Sequence, residues 1–493
     1  MPVNTCFWCK ILTVTLLGAI SSILFVVSLK ANYQWALSQE HIRFRKGFPS
    51  QKNWIDSPYG TLKSYLFNVT NGEAFLNGTD AKLKLEEIGP IVYRIKGRNE
   101  ILNQTDDTLT YQKLPYEDIQ FDPIASCAPD ILNQTIVLPN FILFGTAAKF
   151  HDWVFLVRHA FNAITINEPV LIKQSIYYFL WNFTTPALSS LSSYVPNIVS
   201  NCGMLHNALR KKEEIYNVKI GDKNGVDNFF QVNTLNNKTY FPEQSNRLRF
   251  VKQKKYYTYC PIEVPGTFDN SLFTPFLDPE RELTIIASEA CRTHRLTYSD
   301  IAYHLGFRGY RYTIADNAEE SSCLDNAMGI KLHKGMFDVS KCLFNDVPSA
   351  FSSPHFYGST YNWSEHFEGL SPNQKDHEAT VIIEPITGIP IEEKYRFQSN
   401  IPLPDMSGYS KELQRFSKMV IPTFWYEYDL DDLPAIVLFL MKFNIYVVPI
   451  AQPICIGVFF ISTLWCFIYV CLTLKGIKIS HLLFRIISEK NIK

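Results

Sequence analysis

Cysteine is the residue type with the clearest chemical potential in this chain, and its eleven positions fall into two groups. Five lie in or beside two long apolar segments: Cys6, Cys9, Cys455, Cys466 and Cys471. Six lie between those segments: Cys127, Cys202, Cys260, Cys291, Cys323 and Cys342. An even number suits disulfide pairing in an oxidising compartment, but six cysteines allow many connectivities, so the count alone does not choose among them.

Seven Asn-x-Ser/Thr sequons occupy the same central region as the six cysteines. Their acceptor residues are Asn68, Asn77, Asn103, Asn133, Asn182, Asn237 and Asn362. N-glycosylation also takes place in the secretory lumen. Because no sequon lies outside the region, the sequons and cysteines together predict one glycosylated, disulfide-bonded extracytoplasmic domain.

Enzymatic chemistry has no recognisable signature here, since HExxH, GxSxG, Walker and GxGxxG patterns do not occur. The nearest approach to a histidine cluster is His355, His366 and His377, whose spacing suits neither one helix face nor a known metal site. We therefore expect no enzyme activity, no metal and no cofactor. A basic run from Arg247 to Lys255 could contact anionic ligands, but the exposed edge of a strand is the favoured interpretation.

The two apolar segments are the elements that must anchor this domain. Residues 11–29 carry no charge, and residues 443–474 contain no charged side chain and no histidine. A helix of about 20 residues spans a hydrocarbon layer of about 30 Å, so we predict membrane helices at residues 11–30 and 448–474. A cleaved signal peptide is the competing interpretation of the first segment, although no small-x-small cleavage site follows it.

Charge near the second segment predicts the orientation of the chain. The tail at 475–493 carries five basic residues and one acid, which favours the cytoplasmic side. Two spans then place residues 1–10 inside as well and residues 31–447 outside. Cys6, Cys9 and Cys471 would lie near the cytoplasmic face as candidates for S-palmitoylation, the alternative being that they are small apolar residues of the helices. The equal numbers of basic and acidic residues, 47 each, give no reason to expect nucleic-acid binding.

The external region contains two kinds of hydrophobic pattern, one typical of strands and one typical of helices. Alternating, β-branched or aromatic segments predict strands at 91–95, 229–234, 256–259, 310–314 and 380–383, with turns at Asn224-Gly225 and Thr387-Gly388. Between Phe141 and Arg210, apolar residues recur at helical spacing, including the stretch from Leu171 to Leu180. The predicted fold class is α+β, a mainly antiparallel sheet structure with a helical insertion.

Several strings in this region resemble the class B scavenger receptors, the family of fatty-acid translocase, the high-density-lipoprotein receptor, the lysosomal integral membrane protein and the sensory neuron membrane proteins. The strings are Glu87-Ile88-Gly89-Pro90-Ile91-Val92-Tyr93-Arg94, Cys291-Arg292, Asp338-Val339-Ser340-Lys341-Cys342, Pro354-His355-Phe356, Gly369-Leu370-Ser371-Pro372-Asn373 and Ile383-Glu384-Pro385-Ile386-Thr387-Gly388. Their order and spacing together are specific, and the resemblance covers nearly the whole chain.

The resemblance implies a β-barrel-like domain with an internal lipid tunnel and a helical apex, here residues 141–210. It implies a surface receptor that binds lipids, fatty acids, cholesterol or lipoprotein particles, passes lipid to the membrane, and is a candidate for homo-oligomerisation. Some relatives carry clustered lysines at the apex, whereas this chain offers Lys173 and Arg158 as apex ligand contacts. Because basic residues are few at the apex, neutral lipids and protein ligands are favoured as ligands over strongly anionic particles.

The resemblance also implies disulfides between Cys260 and Cys323 and between Cys291 and Cys342. It leaves Cys127 and Cys202 as candidates for an additional bridge. Three alternatives to a plasma-membrane lipid receptor stay open: a lysosomal sorting receptor of the same family, a two-span ligand-gated channel, and an ectoenzyme.

Overall fold

The computed structural model describes residues 3–56, 59–151, 155–185, 203–209, 214–241, 246–251, 254–259, 262–314, 326–327, 330–343, 347–430 and 433–475. The chain divides into two compact units. The first consists of Met1–His41 and Ala435–Lys493, and the second of Ile42–Pro434.

The helices of the described residues are α1 Val3–Lys30, α2 Tyr33–Ile42, α3 Pro49–Ile55, α4 Gly72–Leu76, α5 Phe141–Lys149, α6 Phe155–Ile164, α7 Ile176–Trp181, α8 Met204–Leu209, α9 Ser340–Leu343, α10 Gln374–His377, α11 Lys411–Gln414, α12 Ala435–Lys442 and α13 Val448–Leu474. A π-helical turn at Phe443–Val447 joins α12 to α13. The longer strands are β1 Tyr59–Val69, β2 Leu83–Gln104, β3 Thr108–Phe121, β11 Arg292–His304, β12 Phe307–Ile314, β19 Ile389–Pro402 and β20 Val420–Leu430. The shorter strands are β4 Thr135–Pro139, β5 Leu171–Ser175, β6 Glu214–Lys219, β7 Val232–Leu235, β8 Asn246–Val251, β9 Lys254–Tyr259, β10 Leu283–Ala287, β13 Asn326–Ala327, β14 Ile330–Lys331, β15 Met336–Asp338, β16 Ala350–Ser352, β17 Phe367–Glu368 and β18 Thr380–Glu384.

The first unit is helical, and α1 packs directly against α13. Gly18 permits a close approach, because a Cβ there would lie 2.9 Å from Cβ of Cys466. The hydroxyl oxygens of Ser21 and Ser462 are 2.9 Å apart. Small residues and shared hydroxyl hydrogen bonds are the usual means by which helices associate in lipid.

Phe7–Lys30 and Ala435–Leu474 are long and apolar enough to cross a membrane, so the structure has two candidate spans at the predicted places. The second apolar helix extends further toward the N-terminus than the predicted 448–474, since α12 and the π-helical turn continue into α13. The helical backbone continues through Asn444 and Pro449.

The second unit is built on a large antiparallel sheet. Its strand order is β10-β11-β12-β18-β19-β20-β1-β2-β3-β6-β7, and β15, β16 and β17 attach beside this path. Strand pairs β4–β5, β8–β9 and β13–β14 form separate small sheets. The mixed, mainly antiparallel fold predicted from the sequence is confirmed.

A short segment joins the two ends of the sheet. Val232 of β7 donates to the carbonyl of Thr267 (2.8 Å) and accepts from the amide of Gly266 (2.9 Å). The next residue, Phe268, bonds to Thr284 and Ile286 beside β10, each at 2.9 Å. The hydrogen-bonded path therefore continues from β7 to β10 and closes the sheet as a barrel.

Two local predictions were wrong. Residues 171–175 form strand β5 rather than helix, because they pair with β4 in a register from Thr135↔Ser175 to Pro139↔Leu171. Residues 229–231 are a turn in which Phe230 has φ of 61°, so the strand begins only at Val232. In both cases tertiary pairing and burial overrode the local pattern.

Candidate ligand-binding surface

Helix α6 turns an apolar face toward solvent. Leu156, His159, Ala160 and Ala163 are exposed and recur at the i, i+3, i+4 and i+7 positions of one helix face. Leu156 and three further large apolar side chains, one of them just beyond the helix, are strongly exposed: Phe155, Leu156, Ile164 and Ile166 are 67%, 76%, 57% and 78% exposed. We call these four residues the α6 patch. Four large exposed apolar side chains this close together in the chain make the segment a candidate interaction site.

The opposite side of α6 packs against the loop that contains Gly408 and Tyr409. Phe161 is buried and meets the ring of Tyr409 edge-on at 5.7 Å. The Asn162 side chain donates to the carbonyl of Gly408 at 3.0 Å. The Tyr409 hydroxyl in turn donates to the carbonyl of Ala147 in α5 at 2.8 Å. These contacts fix the helix while leaving its apolar face free of described neighbours.

The two predicted basic ligand contacts lie on different elements. Arg158 sits on the packed side of α6 beside Gly408 and Tyr409. Lys173 is exposed on β5, where it pairs with Val137 of β4. No described contact brings Arg158 and Lys173 together, so the cationic component of this surface consists of separated single charges.

A second candidate surface lies inside the barrel. On β19 and β20, Tyr395 stands opposite Tyr428 and Phe397 opposite Tyr426, and all four side chains share one sheet face. We call this the aromatic face. Its four aromatic side chains keep part of their surface accessible, whereas Arg396, Gln398 and Glu427 on the reverse face are buried.

The aromatic face points into the barrel. Glu393 shares that face and interacts electrostatically with Lys113 of β3, although three strands separate β19 from β3 in the sheet. At about 4.8 Å per strand, such residues are too far apart along the sheet to interact, so they face each other across the interior. Partly accessible aromatic side chains there offer an apolar surface that a ligand in the interior could contact.

The reverse face carries a cluster of histidines and a carboxylate. Oε2 of Glu87 accepts hydrogen bonds from Nε2 of His355 and Nε1 of Trp425, both at 2.6 Å. His355 accepts at Nδ1 from the amide of Ser371 (3.1 Å), and its ring stacks on His377 at 4.4 Å. Because each Nδ1 accepts from a backbone amide, the geometry assigns the proton of both rings to Nε2.

The electrostatics of this cluster favour an ionised Glu87 and a neutral His377. Burial opposes ionisation of Glu87, but hydrogen bonds from His355 and Trp425 outweigh it and lower the pKa of that carboxyl. Burial is the largest cause that lowers the pKa of His377, to about 4. The arrangement is a satisfied structural core, and among the described residues no group of three His, Cys, Asp or Glu could hold a metal ion.

Three of the strings that carried the family resemblance meet in this cluster, since they contain Glu87, His355 and Ser371. A family model described as the CD36 family matches residues 11–474. The chain belongs to the CD36 family. The predicted resemblance to class B scavenger receptors is thereby confirmed.

Curated relatives within the CD36 family include two kinds of protein. The chain is 26% identical to scavenger receptor class B member 1 of Rattus norvegicus over 381 residues, covering 74% of this chain and 69% of the relative. It is also 26% identical to lysosome membrane protein 2 of Homo sapiens over 422 residues, covering 82% and 80% of the two chains. Scavenger receptor class B member 1 of Sus scrofa is 23% identical over 428 residues.

Of the disulfides implied by the resemblance, the structure contains the bond between Cys291 and Cys342, whose Cα atoms are 5.8 Å apart. Cys260, Cys323 and Cys202 lie outside the described residues. Cys127 carries a free, exposed thiol, so the structure does not contain the additional bridge considered for it. The disulfide links the short turn that follows β10 to helix α9.

The sequon asparagines of this CD36-family chain are mostly accessible. Those with exposed side chains are Asn77, Asn103, Asn133, Asn182, Asn237 and Asn362. Asn68 is half-buried: it donates to Glu86 at 3.2 Å and accepts from the amide of Val137 at 2.9 Å. Glycosylation at the six exposed sites stays a prediction. The exposed asparagine side chains leave room for a glycan.

Of the cysteines proposed for acylation, Cys9 is exposed and Cys471 is partly exposed, each with a free thiol. The side chain of Cys6 lies outside the described residues.

The sequence analysis did not predict the α6 patch as an exposed surface, and it did not predict that Glu393 and Tyr395 lie on the aromatic face. The available signal for Glu393 and Tyr395 was their spacing of two residues, which places them on one face of a strand.

Proposed function

We propose that this CD36-family protein is a membrane receptor that captures lipid or lipoprotein ligands at the α6 patch and passes lipid through the interior of the barrel. The observation that carries the proposal is the α6 patch, a packed helix with an apolar exposed face. Burying one Leu or Ile side chain contributes about 1.5–3 kcal/mol, so these four side chains can supply substantial affinity for an apolar surface.

The aromatic face supports the second half of the proposal. Its side chains are partly accessible although they belong to central strands whose reverse face is buried. An aromatic-lined interior can hold an acyl chain or a sterol ring without covalent chemistry, and transfer can follow a concentration gradient. Fatty acids, cholesterol and lipoprotein particles are the proposed ligands, with a protein ligand as the alternative.

The proposed location is the plasma membrane, with residues 1–10 and 475–493 in the cytoplasm. The similarity to lysosome membrane protein 2 supports a lysosomal location as the alternative. Epitope tags at each terminus, read by antibody in intact and permeabilised cells, would test the orientation, and colocalisation with surface or lysosomal markers would distinguish the compartments.

The test of function combines lipid analysis with uptake. Full-length protein purified from cells is analysed for co-purifying lipid, and cells expressing it are offered labelled cholesteryl ester in lipoprotein particles or labelled fatty acid. We expect bound lipid and enhanced uptake. The double variant Leu156→Asp/Ile166→Asp should weaken particle binding by about tenfold or more, because two charges replace apolar contacts.

Ile124 provides a matched control, because it is 94% exposed but lies on the loop after β3. Ile124→Asp should leave binding unchanged at equal surface abundance. Absence of both co-purified lipid and enhanced uptake in the wild-type protein would refute lipid transfer and leave a receptor for protein ligands. A ligand-evoked current would favour the channel alternative instead.

A further inference from the structure

Glu393 is a buried carboxyl group to which no described residue donates a hydrogen bond. It lies on β19, opposite Val381 of β18, and its side chain is 6% exposed. Val381 belongs to an apolar cluster that includes Phe268 and Ile285. A buried polar group in such surroundings normally has a partner, because leaving it unpaired costs free energy.

Asp269, an acid in the same interior, has hydrogen-bond partners for its carboxylate oxygens. It accepts hydrogen bonds from the Tyr111 hydroxyl and from Oγ of Ser271, the latter at 2.8 Å. Nζ of Lys113 lies 3.2 Å from its Oδ2. Lys113 is thus already engaged by Asp269. The contrast leaves Glu393 as the acid without described donors, and burial raises its pKa to about 8.

Tyr395 supplies a second unpaired polar group beside Glu393. The two residues are two positions apart on β19 and so share the aromatic face. Oη of Tyr395 is buried and has no hydrogen-bond partner among the described residues. The Tyr395 residue as a whole nevertheless keeps some accessible surface on the aromatic face.

We propose that Glu393 and Tyr395 bind the hydroxyl group of a neutral lipid inside the barrel and favour such lipids over fatty-acid anions. The proposal rests on the proposed lipid-binding function and specifies its ligand class. A hydroxyl both donates and accepts, so it can pair with a carboxyl in either protonation state and with a phenol. A sterol combines one hydroxyl with a rigid apolar body suited to the aromatic face.

The charges around the pair disfavour a carboxylate ligand. Asp269, Glu289 and Glu393 all act electrostatically on the Tyr395 hydroxyl. The nearby cation, Lys113, is held by Asp269 and by its contact with the Tyr216 ring, 5.0 Å from the ring centre. An anionic head group would therefore meet the like charges of Asp269 and Glu289, while Lys113, the cation described beside the pair, is already held by Asp269. This disfavours its binding.

The experiment measures binding of three probes to the full-length protein in detergent: cholesterol, the matched sterol hydrocarbon that lacks the 3-hydroxyl and can neither donate nor accept a hydrogen bond there, and palmitate. Wild-type protein should bind cholesterol about tenfold more tightly than either other probe, the effect expected from one or two hydrogen bonds. Tyr395→Phe and Glu393→Leu should each reduce cholesterol affinity severalfold and leave the affinity for the sterol hydrocarbon within twofold.

Tyr312→Phe is the control, because its Oη is also buried and unpartnered in the described structure but its acidic neighbour is Asp278. It should preserve the preference for cholesterol. Tyr395→Phe removes only an unpaired oxygen, so folding should persist, and thermal unfolding checks this. Equal affinity of the wild-type protein for palmitate and cholesterol would overturn the proposed selectivity. An undiminished preference for cholesterol in both Tyr395→Phe and Glu393→Leu would overturn it as well. Absence of binding by all three probes would instead refute the lipid-binding function itself.

Discussion

Nε2 of His355 lies 2.6 Å from Oε2 of Glu87, although 268 positions separate the two residues in the chain. The same oxygen accepts the indole N–H of Trp425. One carboxylate on β2 therefore joins the turn at Pro354–Phe356 to strand β20. The ring of Trp425 also stacks on Tyr65 of β1, with centroids 3.8 Å apart.

Replacement of Glu87 should destabilise the second unit. Glu87→Ala removes the acceptor of two N–H groups on buried rings, but Glu87 itself is solvent-exposed and water can reach the vacated position. We therefore expect the free energy of unfolding to fall by about 1–3 kcal/mol. Glu87→Gln keeps one carbonyl oxygen as acceptor and should cost less. Thermal unfolding of the purified full chain measures both. The neighbouring Glu86, which accepts from the side-chain amide of Asn68 and from no buried ring in the described structure, supplies the control. An equal loss in Glu86→Ala would contradict this account.

Acidification should weaken the fold through His377. Its pKa is lowered from 6.5 to about 4 by burial, so between those values the unfolded chain binds the proton that the folded chain excludes. This contribution to stability is present above pH 6.5 and is lost as pH falls toward 4, by on the order of 3 kcal/mol. Unfolding measured across pH 7 to 4 tests it. His377→Asn should flatten the profile in that window, and an unchanged slope would count against the assignment.

Glu393 should contribute with the opposite sign. Burial raises its pKa from 4.5 to about 8, so the folded chain binds a proton that the unfolded chain has released. Stability from this group is full below pH 4.5 and is lost as pH rises toward 8. Glu393→Gln mimics the protonated acid and should stabilise the protein at pH 8 by a few kcal/mol relative to wild type, with little effect at pH 4.5. Equal unfolding curves at pH 8 would show that Glu393 has a partner.

Asn68 should not carry a glycan, in contrast to the other sequon residues. Its amide donates to Glu86 and its carbonyl oxygen accepts from Val137, so a glycan on Nδ2 would compete with contacts between β1 and neighbouring strands. Mass spectrometry of glycopeptides should find Asn68 unmodified and the exposed sites occupied. Asn77→Gln should remove one glycan and Asn68→Gln none. Detection of an Asn68 glycopeptide would reject the prediction.

The helices of the first unit were predictable because their signal is local. Uncharged runs flanked by lysines need no partner to be recognised, and α1 and α13 include the predicted segments. The strands at 91–95, 256–259, 310–314 and 380–383 were also identified, since period-two alternation is a property of each strand alone. β5 was missed, because its identity depends on pairing with β4.

Sequence alone therefore determined the two candidate spans, the mainly antiparallel class and, through ordered strings, the family. It could not determine which histidines meet. His355 and His377 were set aside on spacing, yet folding stacks them beside Glu87 because β2 and β20 are adjacent to β1 in one sheet. Only the tertiary structure decided that Glu393 faces the interior without a described donor while Asp269 has three, since hydrogen-bond satisfaction depends on elements brought together across the barrel.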